Sequence, residues 1–138
     1  IHIHRNPYDV YRSTVDLYWK AQTEWGFHPP NRERIVEHVL KCYPRLMNAY
    51  LGQRSLIPES RLIEIGFEEL ETNPIETLST IYCGLGIEGF KENVDRFQSY
   101  LGQVLDYQKN DPGLADEEKE RVCLEWELFF DAFGYART

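Results

Sequence analysis

The first thirteen residues constrain the fold most, because they combine a strand pattern with a helix start. Ile1 and Ile3 alternate with two histidines, as the residues of a short strand do. Asn6 then offers a side-chain oxygen as an N-cap, and Pro7 suits the first helical position, where no backbone N–H is needed. The pattern predicts a strand over residues 1–4, with both isoleucines on its buried face, and a helix that begins at Pro7.

The junction between this strand and helix has the features of an anion-binding corner. Arg5 stands at the end of the strand, and ligands of α/β sheets bind in the crevice beyond the carboxyl ends of strands. The amides and the dipole of a helix start favour an anion there. Ser13 lies seven residues beyond the cap, nearly two turns, so its hydroxyl falls on the same face. Arg5 and Ser13 are therefore predicted to hold one anion.

A second apolar strand is predicted over residues 61–67, far from the first along the chain. Long helical patterns separate the two strands, and such crossover connections favour parallel pairing. The expected fold class is therefore α/β, a parallel sheet with helical cover in a mostly helical chain. The helical patterns cover residues 7–25, 32–54 with a kink at Pro44, 74–83, 89–105 and 116–133.

The first helical pattern predicts which apolar residues face the core. Val10, Val15 and Leu17 are its predicted inward positions. The aromatic residues near its end are expected to pack in the core, with the lining of an acceptor pocket as the alternative, and these are Tyr18, Trp19, Trp25 and Phe27.

Composition limits the classes of function. The chain has 138 residues, 42% of them hydrophobic, which suits one globular domain. Its formal charge of −8 argues against a general affinity for nucleic acids or anionic membranes. The three cysteines follow no CxxC spacing, so neither a disulfide framework nor a metal site is expected. No apolar run approaches the roughly 20 residues of a membrane span.

Two motifs resemble those of the sulfotransferase family. Arg5-Asn6-Pro7, Asp9 and Ser13 resemble the segment that binds the 3′-phosphate of the donor 3′-phosphoadenosine-5′-phosphosulfate (PAPS). Some fifty residues later, a second set of motifs matches the same family in order and spacing. That set consists of Phe67-Glu68-Glu69-Leu70, Asn73-Pro74 and Leu85-Gly86.

The resemblance implies roles for four residues. Arg5 and Ser13 would bind the 3′-phosphate. Phe67 stands where the family usually has tyrosine, near the adenine or the sheet edge, so stacking is retained without a hydroxyl. Lys109 lies in the loop before the last helix, where related enzymes often place a basic residue over the donor phosphate.

The resemblance also implies the fold and the reaction. Residues 1–138 would be the C-terminal part of a single sulfotransferase domain with a P-loop-NTPase-like fold. The enzyme would transfer a sulfuryl group from PAPS to an acceptor hydroxyl or amine, without a metal. The acceptor is not identified by the sequence, and a cytoplasmic location is expected.

The beginning of the chain suggests a missing portion. Ile1 opens inside an apolar strand, and the sequence holds no glycine-rich loop that would grip the 5′-phosphosulfate. We therefore expect the catalytic residues upstream of Ile1, an inactive fragment, and a partner that is the N-terminal half of the same protein or another chain. Contact with nucleic acid or membrane is not expected from this segment.

Two other functions are compatible with the sequence. A P-loop-type nucleotide kinase shares the parallel sheet and phosphate binding, but it would need a GxxxxGK[ST] loop. A non-catalytic helical interaction domain would use the acidic surface and would bind no nucleotide.

Overall fold

The structure, a computed structural model, describes residues 1–104 and 113–137. The chain divides into two compact units, which we call the sheet unit and the helical unit. The prediction of a single domain over residues 1–138 stays a prediction. The sheet unit comprises Ile1–Arg5 and Leu56–Pro112, and the helical unit comprises Asn6–Ser55 and Gly113–Thr138.

The sheet unit contains two short parallel strands. Strand β1 spans His2–His4 and strand β2 spans Glu64–Gly66, so both are shorter than predicted. They pair in register over three positions, with Ile3 opposite Ile65. The backbone N–H of His2 donates to the carbonyl of Ile63 at 2.8 Å. The predicted parallel pairing is confirmed.

Three helices follow β2 in the sheet unit. The middle one starts at Pro74, as the sequence predicts, and buries Thr77 and Ile81. The hydroxyl of Thr77 donates to the carbonyl of Asn73 at 2.9 Å, which satisfies this buried polar group. Two 3₁₀ turns, Arg54–Leu56 and Glu59–Arg61, precede β2. The helices are α3 (Phe67–Thr72), α4 (Pro74–Gly84) and α5 (Phe90–Val104).

The predicted buried face of the first strand is wrong. Ile1 and Ile3 are 60% and 48% exposed, whereas Ile65, opposite Ile3, is only 4% exposed. Helix α3 contacts β2. Within the described part of the sheet unit, the side of the sheet that carries Ile3 and Ile65 is therefore buried at β2 and exposed at β1.

The helical unit begins at the predicted cap. The Asn6 side chain accepts the backbone N–H of Tyr8 at 3.0 Å, and Asn31 does the same for Arg34 at 2.9 Å. Helix α2 runs through Pro44 as one helix. The last predicted helix is instead two helices, which meet at Trp126. The helices of this unit are α1 (Pro7–Trp25), α2 (Arg32–Gln53), α6 (Asp116–Glu125) and α7 (Glu127–Phe133).

Trp126 is central to the core of the helical unit. It is fully buried, its ring stacks on Tyr43 with centroids 4.0 Å apart, and its indole N–H donates to the carbonyl of Leu40 at 3.1 Å. The buried cluster around it consists of Tyr8, Tyr11, Val15, Ile35, Val39, Leu40, Met47, Val122, Phe129 and Phe130.

The prediction for the first helix is partly wrong. Val15 is buried and Val10 packs partly against the core, but Leu17 is 64% exposed. The inward stripe is Tyr8, Tyr11 and Val15, because α1 packs on both α2 and α6. The expected core packing of the aromatic residues near the end of α1 is also wrong, since their exposed fractions are 38% for Tyr18, 39% for Trp19, 79% for Trp25 and 101% for Phe27.

Candidate functional site

Arg5 and Phe67 occupy equivalent positions at the carboxyl ends of the two strands. The register pairs His4 with Gly66, and each of the two residues comes directly after its strand. The central carbon of the Arg5 guanidinium lies 4.6 Å from the centroid of the Phe67 ring. Both residues are half-buried. The parallel register thus brings together two of the four residues that the sequence singled out.

The contact between them is a cation–π interaction, since the guanidinium lies over the ring. The N–H donors of arginine lie in the plane of the guanidinium group, at its edges. The Phe67 contact therefore restrains a side chain whose edge donors can bind two phosphate oxygens.

The histidines of β1 face acidic residues of the same unit. Nδ1 of His2 lies 3.8 Å from Oε1 of Glu64. Burial lowers the pKa of His4 below the ordinary value of histidine, which favours the neutral imidazole at pH 7. Nearby carboxylates act on the His4 pKa in the opposite direction, and these belong to Glu64, Glu68 and Glu69.

Ser13 lies on the exposed side of α1, in the helical unit. Its hydroxyl donates to the carbonyl of Val10 at 3.2 Å, so it must turn away from Val10 before it can donate to a ligand. Because Arg5 belongs to the sheet unit, the convergence of Arg5 and Ser13 on one anion stays a prediction.

The first turn of α1 offers fewer amide donors than the sequence suggests. Pro7 has no N–H, and the N–H of Tyr8 is bonded to the Asn6 side chain. The N–H of Val10 donates to the Asn6 carbonyl. Fewer first-turn amides than expected are therefore available to an anion, although the charge distribution of a helix start still favours one there.

The remaining predictions concern Lys109, a metal site and a membrane-spanning helix. Lys109 lies outside the described residues. Within residues 1–104 and 113–137, no three His, Cys, Asp or Glu side chains are grouped as metal ligands would be. Nor does any described helix combine the length and apolarity needed to cross a membrane. The Arg5–Phe67 contact is the feature that sequence reasoning missed, although Arg5 directly follows the first predicted strand and Phe67 ends the second.

The fold and the site together define a class. Parallel strands with a cationic side chain at their carboxyl ends are typical of α/β proteins that bind their ligands at that edge. The model of the sulfotransferase family matches residues 1–92, a range that includes Arg5, Ser13 and Phe67. The chain belongs to the sulfotransferase family, which confirms the resemblance in its sequence.

Curated relatives agree with this family. Omega-hydroxy-beta-dihydromenaquinone-9 sulfotransferase Stf3 of Mycobacterium bovis is 31% identical to this chain over 137 residues, and the protein of that name from Mycobacterium tuberculosis has the same identity. The alignment covers 99% of this chain and 35% of each relative. The chain thus spans about a third of the length of these relatives. No solved structure matches the chain.

Proposed function

We propose that the protein transfers a sulfuryl group from PAPS to an acceptor hydroxyl or amine. The observation that carries this proposal is the family match over residues 1–92, which spans the predicted donor-binding residues. The same match favours sulfuryl transfer over the kinase and interaction-domain alternatives. Because the relatives are named as acting on a hydroxy compound, an alcohol is the first acceptor to test.

In this proposal, Arg5 and Ser13 bind the 3′-phosphate of the donor. Arginine supplies paired charge-assisted N–H donors, and the Phe67 ring at 4.6 Å supports its side chain. Ser13 would supply a hydroxyl once it leaves the Val10 carbonyl. We extend the proposal to the fold, in which β1 and β2 belong to a P-loop-NTPase-like parallel sheet.

The reaction breaks the bond between sulfur and the bridging oxygen of the 5′-phosphate, and it forms a bond between sulfur and the acceptor. A base takes the acceptor proton, and adenosine 3′,5′-bisphosphate leaves. Neither Arg5 nor Ser13 performs these steps. They anchor the donor at its 3′ end, and fixing the donor in line with the acceptor lowers the barrier by orientation.

Titration calorimetry with two nucleotides tests the proposal. Arg5→Ala should weaken binding of adenosine 3′,5′-bisphosphate by about 2–3 kcal/mol, the scale of a lost charge-assisted contact. Binding of adenosine 5′-phosphate, which lacks the 3′ group, should barely change. Ser13→Ala should show the same selectivity at roughly half the size, because its contact is uncharged.

Arg45→Ala is the matched control, since it removes an exposed arginine of α2 and should leave both affinities unchanged. Equal losses for the two nucleotides in Arg5→Ala would mean that Arg5 only supports the fold. No loss for either nucleotide would remove Arg5 from the site.

A further inference from the structure

We propose that Phe67 is a positioning residue, whose ring holds the Arg5 guanidinium in the orientation that receives the 3′-phosphate. This inference rests on the proposed function. It gives Phe67 a role different from the adenine contact expected from its place in the sequence, because one face of its ring is in contact with the Arg5 guanidinium, 4.6 Å from the centroid.

The geometry of the sheet explains why this contact forms. In a parallel pair, the residues that follow two registered positions leave the sheet side by side. His4 and Gly66 are registered, so Arg5 and Phe67 are the next residues on each strand. Phe67 is also the first residue of α3, and its backbone is fixed by the helix. The Phe67 ring therefore has a defined position beside the Arg5 guanidinium.

Orientation matters for arginine because its side chain has many rotamers. Holding it still costs side-chain entropy, and the part of that cost already met by the Phe67 contact no longer weakens ligand binding. Bidentate phosphate recognition also requires the guanidinium plane to face the phosphate edge-on. The contact with the Phe67 ring restricts the orientations that the Arg5 side chain can adopt before the ligand arrives.

Substitutions at residue 67 test this role in the purified protein. Phe67→Leu keeps an apolar side chain but removes the π face, so it should weaken binding of adenosine 3′,5′-bisphosphate about fivefold, the scale of a modest cation–π contact. Affinity for adenosine 5′-phosphate should stay unchanged. Phe67→Tyr restores an aromatic face and should bind both nucleotides within about twofold of the wild type.

A double variant shows whether Phe67 acts through Arg5. Adding Phe67→Leu to Arg5→Ala should cause no further loss, because the ring then has no cation to hold. Phe97→Leu is the matched control, since Phe97 is a half-buried ring of the same unit that contacts Tyr82 and Phe90. It should leave the ratio of the two nucleotide affinities unchanged.

The outcomes separate this inference from the proposed function. In one outcome, Arg5→Ala weakens binding only of the nucleotide with a 3′-phosphate, whereas Phe67→Leu weakens binding of both nucleotides equally. In another, Phe67→Leu adds its full loss of affinity to the loss caused by Arg5→Ala. Phe67 would then contact the adenine, and the positioning role would be overturned while the proposed function stands. A nonselective Arg5→Ala would overturn both.

Discussion

The helical unit and the sheet unit bury very different numbers of side chains. In the described part of the helical unit, the core cluster consists of Trp126 and ten other buried residues, drawn from the four helices α1, α2, α6 and α7. In the described part of the sheet unit, the buried apolar side chains are Ile65 and Ile81. Yet the sheet unit carries Arg5 and Phe67, the contact on which the candidate site rests.

Under the proposed function, stability and ligand recognition would depend on different residues. Core residues of the helical unit should govern unfolding, because buried apolar area supplies most of the favourable free energy of folding. Residues at the strand ends should govern binding, because their side chains are half-buried and polar groups there remain accessible. Substitutions in the two units should therefore have separable effects.

Trp126→Ala should have the largest effect on stability. It removes a fully buried ring and leaves the Leu40 carbonyl without its indole partner, so the free energy of unfolding should fall by about 3–5 kcal/mol. Urea denaturation measures this loss. Trp25→Ala, at a residue 79% exposed, is the control and should stay within about 0.5 kcal/mol of the wild type. Similar losses for the two tryptophans would contradict the assignment of the core.

Ile81→Ala should have a smaller effect, confined to the sheet unit. Ile81 is 5% exposed, and its truncation should cost about 2 kcal/mol, the low end for a buried isoleucine, since few buried neighbours surround it. Hydrogen exchange should quicken in peptides of α4 and stay unchanged in α1 and α2. Ile87→Ala, at a residue 46% exposed, serves as the control. Faster exchange throughout the helical unit would show that the two units unfold together.

His4→Gln should have the smallest effect, visible only at acidic pH. Because burial lowers the pKa of His4 in the folded state, the unfolded state binds more protons below about pH 6.5. The stabilising contribution is thus present above pH 6.5 and is lost as the pH falls through the folded pKa. The urea concentration at the unfolding midpoint should decrease less for His4→Gln than for the wild type when the pH is lowered from 7 to 5.

The control for this pH dependence is His28→Gln, in the exposed loop after α1. His28 is exposed, so this variant shows how the loss of one surface histidine changes the dependence of the unfolding midpoint on pH. If the unfolding midpoint of His4→Gln depended on pH as that of the wild type does, the burial of His4 would have no consequence for folding.

Local patterns in the sequence predicted much of the secondary structure. Asn6 and Pro7 mark the start of α1, and Asn31 marks the start of α2, because caps act within one helical turn. The parallel pairing of residues 2–4 with residues 64–66 also followed, since long helical connections favour it. Asn6 and Pro7 also belong to the motifs that carried the family resemblance, which the comparisons confirm.

Local patterns did not decide which faces are covered. Periodicity shows that Ile1 and Ile3 share a face, and that Leu17 could lie inward, but burial depends on what packs there. Tertiary contacts cover Ile65 and leave Ile3 open, and they select Tyr11 rather than Leu17 for the core.

The sequence by itself determined the family, the helix starts and the presence of Arg5 at a strand end, because each depends on residues close together in the chain. Only the tertiary structure decided that Phe67 lies against Arg5, sixty-two positions away, and that Trp126 divides the last helical pattern. Those features depend on the register of two strands and on the space between packed helices. Neither quantity is encoded in a local run of residues.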